Sequence, residues 1–162
     1  MHRGSCWQFQ LMTDVVDSAT RSRMMAGIKG RNTRPEMLLR QGLHRAGFRF
    51  RLHDRRLPGK PDLVFPGRNA VILVHGCFWH GHTCHLFRWP SSRPDWWRAK
   101  IEGNRARDAA QREALHAAGW RMLTVWECAL MGRTRLPEGE AMARTAEWLR
   151  SGQEDLVLEG KA

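Results

Sequence analysis

Apolar positions along this chain change their spacing several times, and each change marks an element. Met24, Met25 and Ile28 form one side of a short basic helix within residues 19–34. Leu39, Leu43 and Ala46 then follow a helical stripe. Thr33 and Glu36 match a capping box at its start, Pro35 suits the first turn, and Gly47 suits the position just past its end. FRFRLH at residues 48–53 alternates strictly, which predicts a half-buried strand. LPGKP is a turn, a second strand begins at Asp62, and PGRN turns the chain again. NAVILV is apolar without interruption, as in a central strand covered on both faces. PSSRPDWW opens a long helix reaching about His116, WRMLTVWE after Gly119 is another strand, and a last helix covers about Glu138 to Arg150. The order is helix, helix, three strands, loop, helix, strand, helix. It predicts an α/β fold with a mixed central sheet flanked by helices. Residues 14–150 are expected to form one domain, with residues 1–13 a disordered extension and 151–162 a short tail.

Composition narrows the class. The 162 residues are 42% hydrophobic, enough for a folded core. Lys and Arg number 27 against 16 Asp and Glu, a formal charge of +11. Such an excess favours a polyanionic partner, most simply nucleic acid. Arg21, Arg23, Lys29, Arg31 and Arg34 suit phosphate contacts, or equally a solvated helix face. No stretch approaches the ~18 apolar residues of a membrane span. The first residues lack the apolar run of a signal peptide. A cytoplasmic location is expected, where four cysteines point to metal binding rather than to disulfides.

The run VILVHGCFWHGHTCHLF, Val71 to Phe87, concentrates the chemistry. Cys77, His82 and Cys84 offer three zinc ligands within one loop. Cys128 is the natural fourth, because its strand can end beside the strand that feeds the loop. His85 adjoins Cys84 awkwardly, and Cys6 lies in the N-terminal extension. A closed four-ligand site is structural rather than catalytic.

Asp62 follows Pro61 at the head of an apolar strand, a nuclease layout in which the carboxylate holds a divalent metal near the scissile phosphate. The next strand carries neither acid nor lysine, leaving His75 and His80 as proton carriers. Glu36 completes the capping box or, lying beside the buried stripe, reaches a catalytic histidine. Asp108 does likewise or is a solvated helix charge. Trp120, Trp126 and Trp148 read as core. Phe78 and Trp79, flanked by metal ligands, are wedges suited to entering stacked bases.

The runs ATRSRMMAGI, LPGKPDLVF, VHGCFWHGHTCHLF, NRARD and GWRMLTVWECAL resemble the very short patch repair (Vsr) endonucleases, over about Asp14 to Trp148. The resemblance implies a restriction-endonuclease-like fold with an added structural zinc site. It implies a magnesium-dependent enzyme that nicks DNA 5′ to the thymine of a T·G mismatch arising from 5-methylcytosine deamination, and that couples to the mismatch-repair factor MutL. By position, Asp62 is the magnesium ligand, joined by the Val74 backbone carbonyl where the best-known member has Thr. His80 activates the water, His75 assists, and Glu36 supports the catalytic histidine. Cys77, His82, Cys84 and Cys128 bind zinc, and Phe78, Trp79 and Trp97 intercalate beside the mismatch. A monomer is expected. Two other readings of the same residues are a restriction-type endonuclease cutting unmismatched DNA and a zinc-stabilised DNA-binding protein without catalysis.

Overall fold

The computed structural model describes residues 30–161. The expected basic helix around Met24 to Ile28 and the expected disordered extension therefore lie outside the described residues. Five strands form one sheet in the order β1 (Arg51–Leu52), β2 (Leu63–Phe65), β3 (Ala70–His75), β4 (Arg121–Trp126), β5 (Leu156–Leu158). The β1–β2 and β2–β3 pairs are antiparallel, and β3–β4 and β4–β5 are parallel. The mixed sheet anticipated from the pattern is thus present. Its parallel pairs are joined through helices, α2 (Pro94–Ala117) between β3 and β4, and α3 (Glu127–Leu130) and α4 (Glu140–Ser151) between β4 and β5. The first described helix, α1, spans Arg34–Arg45.

The period-2 geometry of strands explains why β3 is apolar throughout. Ala70 and Ile72 join Leu39 and Leu43 of α1 and Ala146, Trp148 and Leu149 of α4 in one core cluster. Val71 and Leu73 point the other way and pack with Val64, Met122 and Leu115 of α2. The sheet is therefore covered on both faces. Each large side chain so buried contributes about 1.5–3 kcal/mol relative to exposure.

Three expectations need correction. FRFRLH yields only a two-residue strand: Phe48 is buried and Phe50 partly so, yet Leu52 is 41% exposed, because the chain is already leaving the sheet edge. The short tail is not a tail. Leu156–Leu158 completes the sheet, held in register by Asp155, whose Oδ1 accepts the Met122 N–H at 2.7 Å and whose Oδ2 lies 2.7 Å from His116 Nε2. The capping box does not form. Thr33 occupies the N-cap position with extended backbone but makes no side-chain cap hydrogen bond. Glu36 is instead turned inward, 2% exposed, with Arg40 Nη1 at 3.0 Å.

Candidate active site and metal centre

The parallel pairing of β3 and β4 sets His75 opposite Trp126, so the two strands end side by side. Everything with chemical character gathers at that edge. The loop leaving β3 turns tightly: His80 N–H donates to Gly76 O at 3.2 Å and His82 N–H to Cys77 O at 2.9 Å. The chain leaving β4 enters α3, which delivers Cys128 to the loop. Cys128 N–H points to Cys77 Sγ at 3.4 Å, and Cys128 Sγ lies 3.6 Å from His82 Nδ1.

Cys77, His82, Cys84 and Cys128 thereby present four ligand atoms all within 4.8 Å of one another. Three thiols and an imidazole match the donor set of a closed zinc site. Burial pushes the Cys77 and Cys128 thiols up. Burial also opposes ionisation of Cys84, but hydrogen bonds from His82, the Leu86 backbone and the neighbouring sulfurs outweigh it and the Cys84 thiol is lowered. Support comes from outside the ligands. Glu159 Oε2 is 2.9 Å from His82 Nε2, the Gly160 N–H donates to Cys128 Sγ at 3.3 Å, and the Cys77 N–H donates to Glu127 Oε2 at 3.1 Å. Such outer partners fix the tautomer and aim of a ligating imidazole.

On the α2 side of the sheet, His75 and His80 stack, with ring centroids 4.0 Å apart and planes 2° from parallel. His80 Nδ1 is 2.5 Å from Asp108 Oδ2. The acid on His80 is therefore Asp108. The solvated-charge reading of Asp108 does not hold, since it is only 21% exposed and engaged with the ring. The NRARD motif proves to be one helical face gripping the loop. Asn104 Nδ2 donates to Trp79 O at 2.7 Å, and Arg105 donates to His80 O and Gly81 O. His75 is 6% exposed; burial above all, then His80 and Arg112, depress its pKa to about 4 against the pull of Asp108. These groups line a cleft of about 370 Å³ that also carries Arg105, Arg112 and Trp126.

Immediately before β2 lies Asp62. Its Oδ2 accepts the Val74 N–H at 2.7 Å, and burial raises its pKa to about 6, the nearby Glu36 adding to the rise while Val74, His53 and His80 oppose it. Glu36 stands here too, 3.2 Å from His53 Nε2. The histidine it meets is His53. Glu36, His53 and Asp62 form a second group of potential metal ligands.

The aromatics form a continuous cluster. Phe78 is 5.2 Å from both Trp79 and Trp97, and Trp79 is 6.0 Å from Trp97, by ring centroids. Phe78 and Trp79 are half-buried, whereas Trp97 is 7% exposed and backs them rather than presenting a free ring. Of the tryptophans read as core, Trp148 is buried, but Trp126 belongs to the site. It stacks on His82 at 4.2 Å and meets His75 edge-on at 5.2 Å, between the thiol cluster and the paired imidazoles. His53, Asn104, Arg105, Trp126 and Glu159 carry no distinctive local spacing. Only the NRARD run, through its i, i+4 pairing of Asn104 with Asp108, signals one face of a helix.

Among the described residues, no helix is long and apolar enough to cross a membrane. The family model for "DNA mismatch endonuclease Vsr" matches residues 13–86. The chain is 52% identical over 119 residues to "Type II nicking enzyme V.XorIIP" of Xanthomonas oryzae pv. oryzae, covering 74% of this chain and 88% of that one. It is 45% identical over 138 residues to "DNA mismatch endonuclease Vsr" of Escherichia coli K12, covering 85% and 88%. It is 40% identical over 122 residues to "Type II nicking enzyme V.NmeAIP" of Neisseria meningitidis serogroup A, covering 75% and 87%. A mixed sheet flanked by helices, with the Cys/His cluster attached at the end of its central strands, is the restriction-endonuclease-like arrangement expected of such enzymes, and the chain belongs to the DNA mismatch endonuclease Vsr family.

Proposed function

We propose that this protein is a DNA endonuclease that nicks 5′ to the thymine of a T·G mismatch and so initiates very short patch repair. The observation that carries the reading is the His75–His80–Asp108 arrangement at the end of β3, close enough for His80 to act electrostatically on the Asp62 carboxylate. Asp108 accepts the Nδ1 proton of His80 and thereby leaves Nε2 as the basic atom of the ring. A neutral His80 takes a proton from the attacking water, the role general bases fill at about 10²–10⁴-fold in rate. His75, kept uncharged by burial, packs on the His80 face and limits its motion. Arg105 and Arg112 place positive charge along the cleft, where a phosphate backbone is attracted.

Asp62 and the Val74 carbonyl would hold a magnesium ion. In extended backbone, N–H and C=O of one residue share a side of the strand, so the Val74 carbonyl faces the same edge as the N–H bound to Asp62. When bound there, the ion supplies Lewis-acid stabilisation of the phosphate oxygens. Cys77, His82, Cys84 and Cys128 would hold zinc, which fixes the loop between the catalytic histidines and the aromatics. Phe78 and Trp79 would enter the DNA beside the mismatch, with Trp97 behind them. The protein acts as a monomer in this reading, and the family resemblance supports coupling to MutL.

A second reading has a specific basis, since two of the relatives above are named type II nicking enzymes. It has the protein nicking an unmismatched site. One experiment separates the two. Matched duplexes carrying T·G or C·G at one position, with flanks randomised, are assayed for strand nicking with magnesium. The mismatch reading expects nicking of T·G alone, and equal nicking of C·G would refute it.

A further inference from the structure

We propose that His53 is a nitrogen donor of the divalent-cation site around Asp62, making that site favour manganese or another borderline cation over magnesium. The inference rests on Asp62 being a metal ligand. Pairing of Leu52 with Leu63 sets the next residue out, His53, against Asp62, and the His53 N–H donates to Asp62 O at 3.4 Å. His53 adopts a φ of +47°, in the left-handed region that a non-glycine residue enters at a cost of about 1–3 kcal/mol. The imidazole then lies between two carboxylates. Its Nε2 is 3.2 Å from Glu36 Oε1, and its Nδ1 is 3.8 Å from Asp62 Oδ1.

The close approach to Glu36 is not a hydrogen bond. His53 Nε2 is buried and lacks a hydrogen-bond partner. Leaving such a nitrogen unpaired costs about 1–3 kcal/mol. A cation would satisfy it. Donors at about 2.0–2.2 Å from one ion sit about 3 Å apart along the edge of an octahedron, which is the Glu36–His53 separation. Glu36, His53 and Asp62 each offer a ligand atom within 4.8 Å of the others. Magnesium takes oxygen donors and gives up its waters reluctantly, so an imidazole nitrogen in the coordination shell disfavours it. The rival account is a protonated His53 that only clips the two carboxylates together.

The test uses the full-length, zinc-loaded protein with manganese as the probe. Pulsed electron paramagnetic resonance of the bound manganese should show nitrogen modulation, and titration should show manganese binding more tightly than magnesium. His53→Gln should abolish the modulation and weaken manganese at least about tenfold, with a smaller effect on magnesium and unchanged zinc content. Asp62→Asn should weaken both ions. Absence of nitrogen modulation in the unaltered protein would overturn the inference without recourse to a variant. So would modulation that persists in His53→Gln, which would place the ion on His75 or His80. Unchanged manganese affinity in Asp62→Asn would instead remove the premise that Asp62 is a ligand.

Discussion

His75 and His80 present their ring faces to each other at 4.0 Å, and it is His80 whose ring nitrogen is hydrogen-bonded to the Asp108 carboxylate. Two imidazolium charges this close repel, so a charge on His80 disfavours protonation of His75. Asp108 settles the division of roles. It holds the Nδ1 of His80, while His75 is buried and stays neutral down to about pH 4. In the proposed mechanism the pair works as one base resting on one uncharged platform.

Asp108→Asn tests that division. An amide still fills the space but removes the charge and can donate to His80 Nδ1, which favours the wrong tautomer. Nicking under single-turnover conditions should fall by about 10²–10⁴-fold, with binding of a T·G duplex changed by less than threefold, about 0.6 kcal/mol. A rate close to that of the unaltered protein would return Asp108 to the status of a helix charge.

Asp62 offers a stability test with a defined sign. Its folded pKa, raised from 3.8 to about 6, means that ionising it opposes folding. The contribution to stability is complete below about pH 4 and is lost as pH rises through about 6. A rise of about two units corresponds to no more than about 3 kcal/mol at pH 7. Without magnesium, Asp62→Asn should therefore be the more stable protein at pH 7, and the difference should shrink towards pH 4. His75 acts in the opposite direction, losing stability as pH falls from about 6.5 to 4, but it does so in both proteins and cancels from the comparison. Denaturant unfolding at the two pH values measures the gap. A variant less stable than the parent at pH 7 contradicts the assignment of burial as the dominant influence on Asp62.

Much of this site is legible in the amino-acid sequence, for reasons that stop at particular residues. The apolar run of β3 and the later strand WRMLTVWE forecast two adjacent strands, and that adjacency placed Cys128 beside Cys77, His82 and Cys84. Local patterns failed where distant partners compete with them. Glu36 fits a capping box, but Arg40 holds it inside. His53 sits at a polar position of an alternating run, and only the β1–β2 register brings it to Asp62. Trp126 looks like core because it ends an apolar strand, yet that strand ends at the site. Leu156–Leu158 is too short to show a period, and its strand is set by Asp155 bonding to β4.

The chain just beyond β5 should govern how firmly zinc is held. Glu159 orients His82, and carboxylate partners of this kind affect metal affinity by about 10–100-fold. Glu159 is 59% exposed, so Glu159→Gln should lie near the lower limit. Gly160→Ala should be more damaging, because a Cβ there would stand 2.6 Å from the carbonyl oxygens of both Cys128 and Thr134. Backbone cannot yield as a side-chain tip can, so the N–H held on Cys128 Sγ would be displaced. Competition with a coloured chelator gives the retention of zinc directly. Equal retention by both variants and the parent would detach this segment from the metal site.

The aromatic cluster predicts two different failures from two neighbouring tryptophans. Trp79 is half-buried and packs against Phe78 and Trp97, while Asn104 holds its backbone carbonyl. Trp79→Ala should therefore leave the fold stable and reduce preference for T·G over T·A duplexes, since one unstacked base step is worth a few kcal/mol. Trp97 is buried beneath both rings. Trp97→Ala should open a cavity, at about 3–5 kcal/mol of stability, and lose discrimination as the wedge collapses into the space. Trp97→Phe, which fills part of that volume, should restore stability and most of the preference. Paired measurements of thermal unfolding and mismatch selectivity distinguish support from insertion. If Trp97→Ala stays as stable as the parent yet loses selectivity, Trp97 itself leaves the cluster to meet the DNA, and the buried position is a resting one.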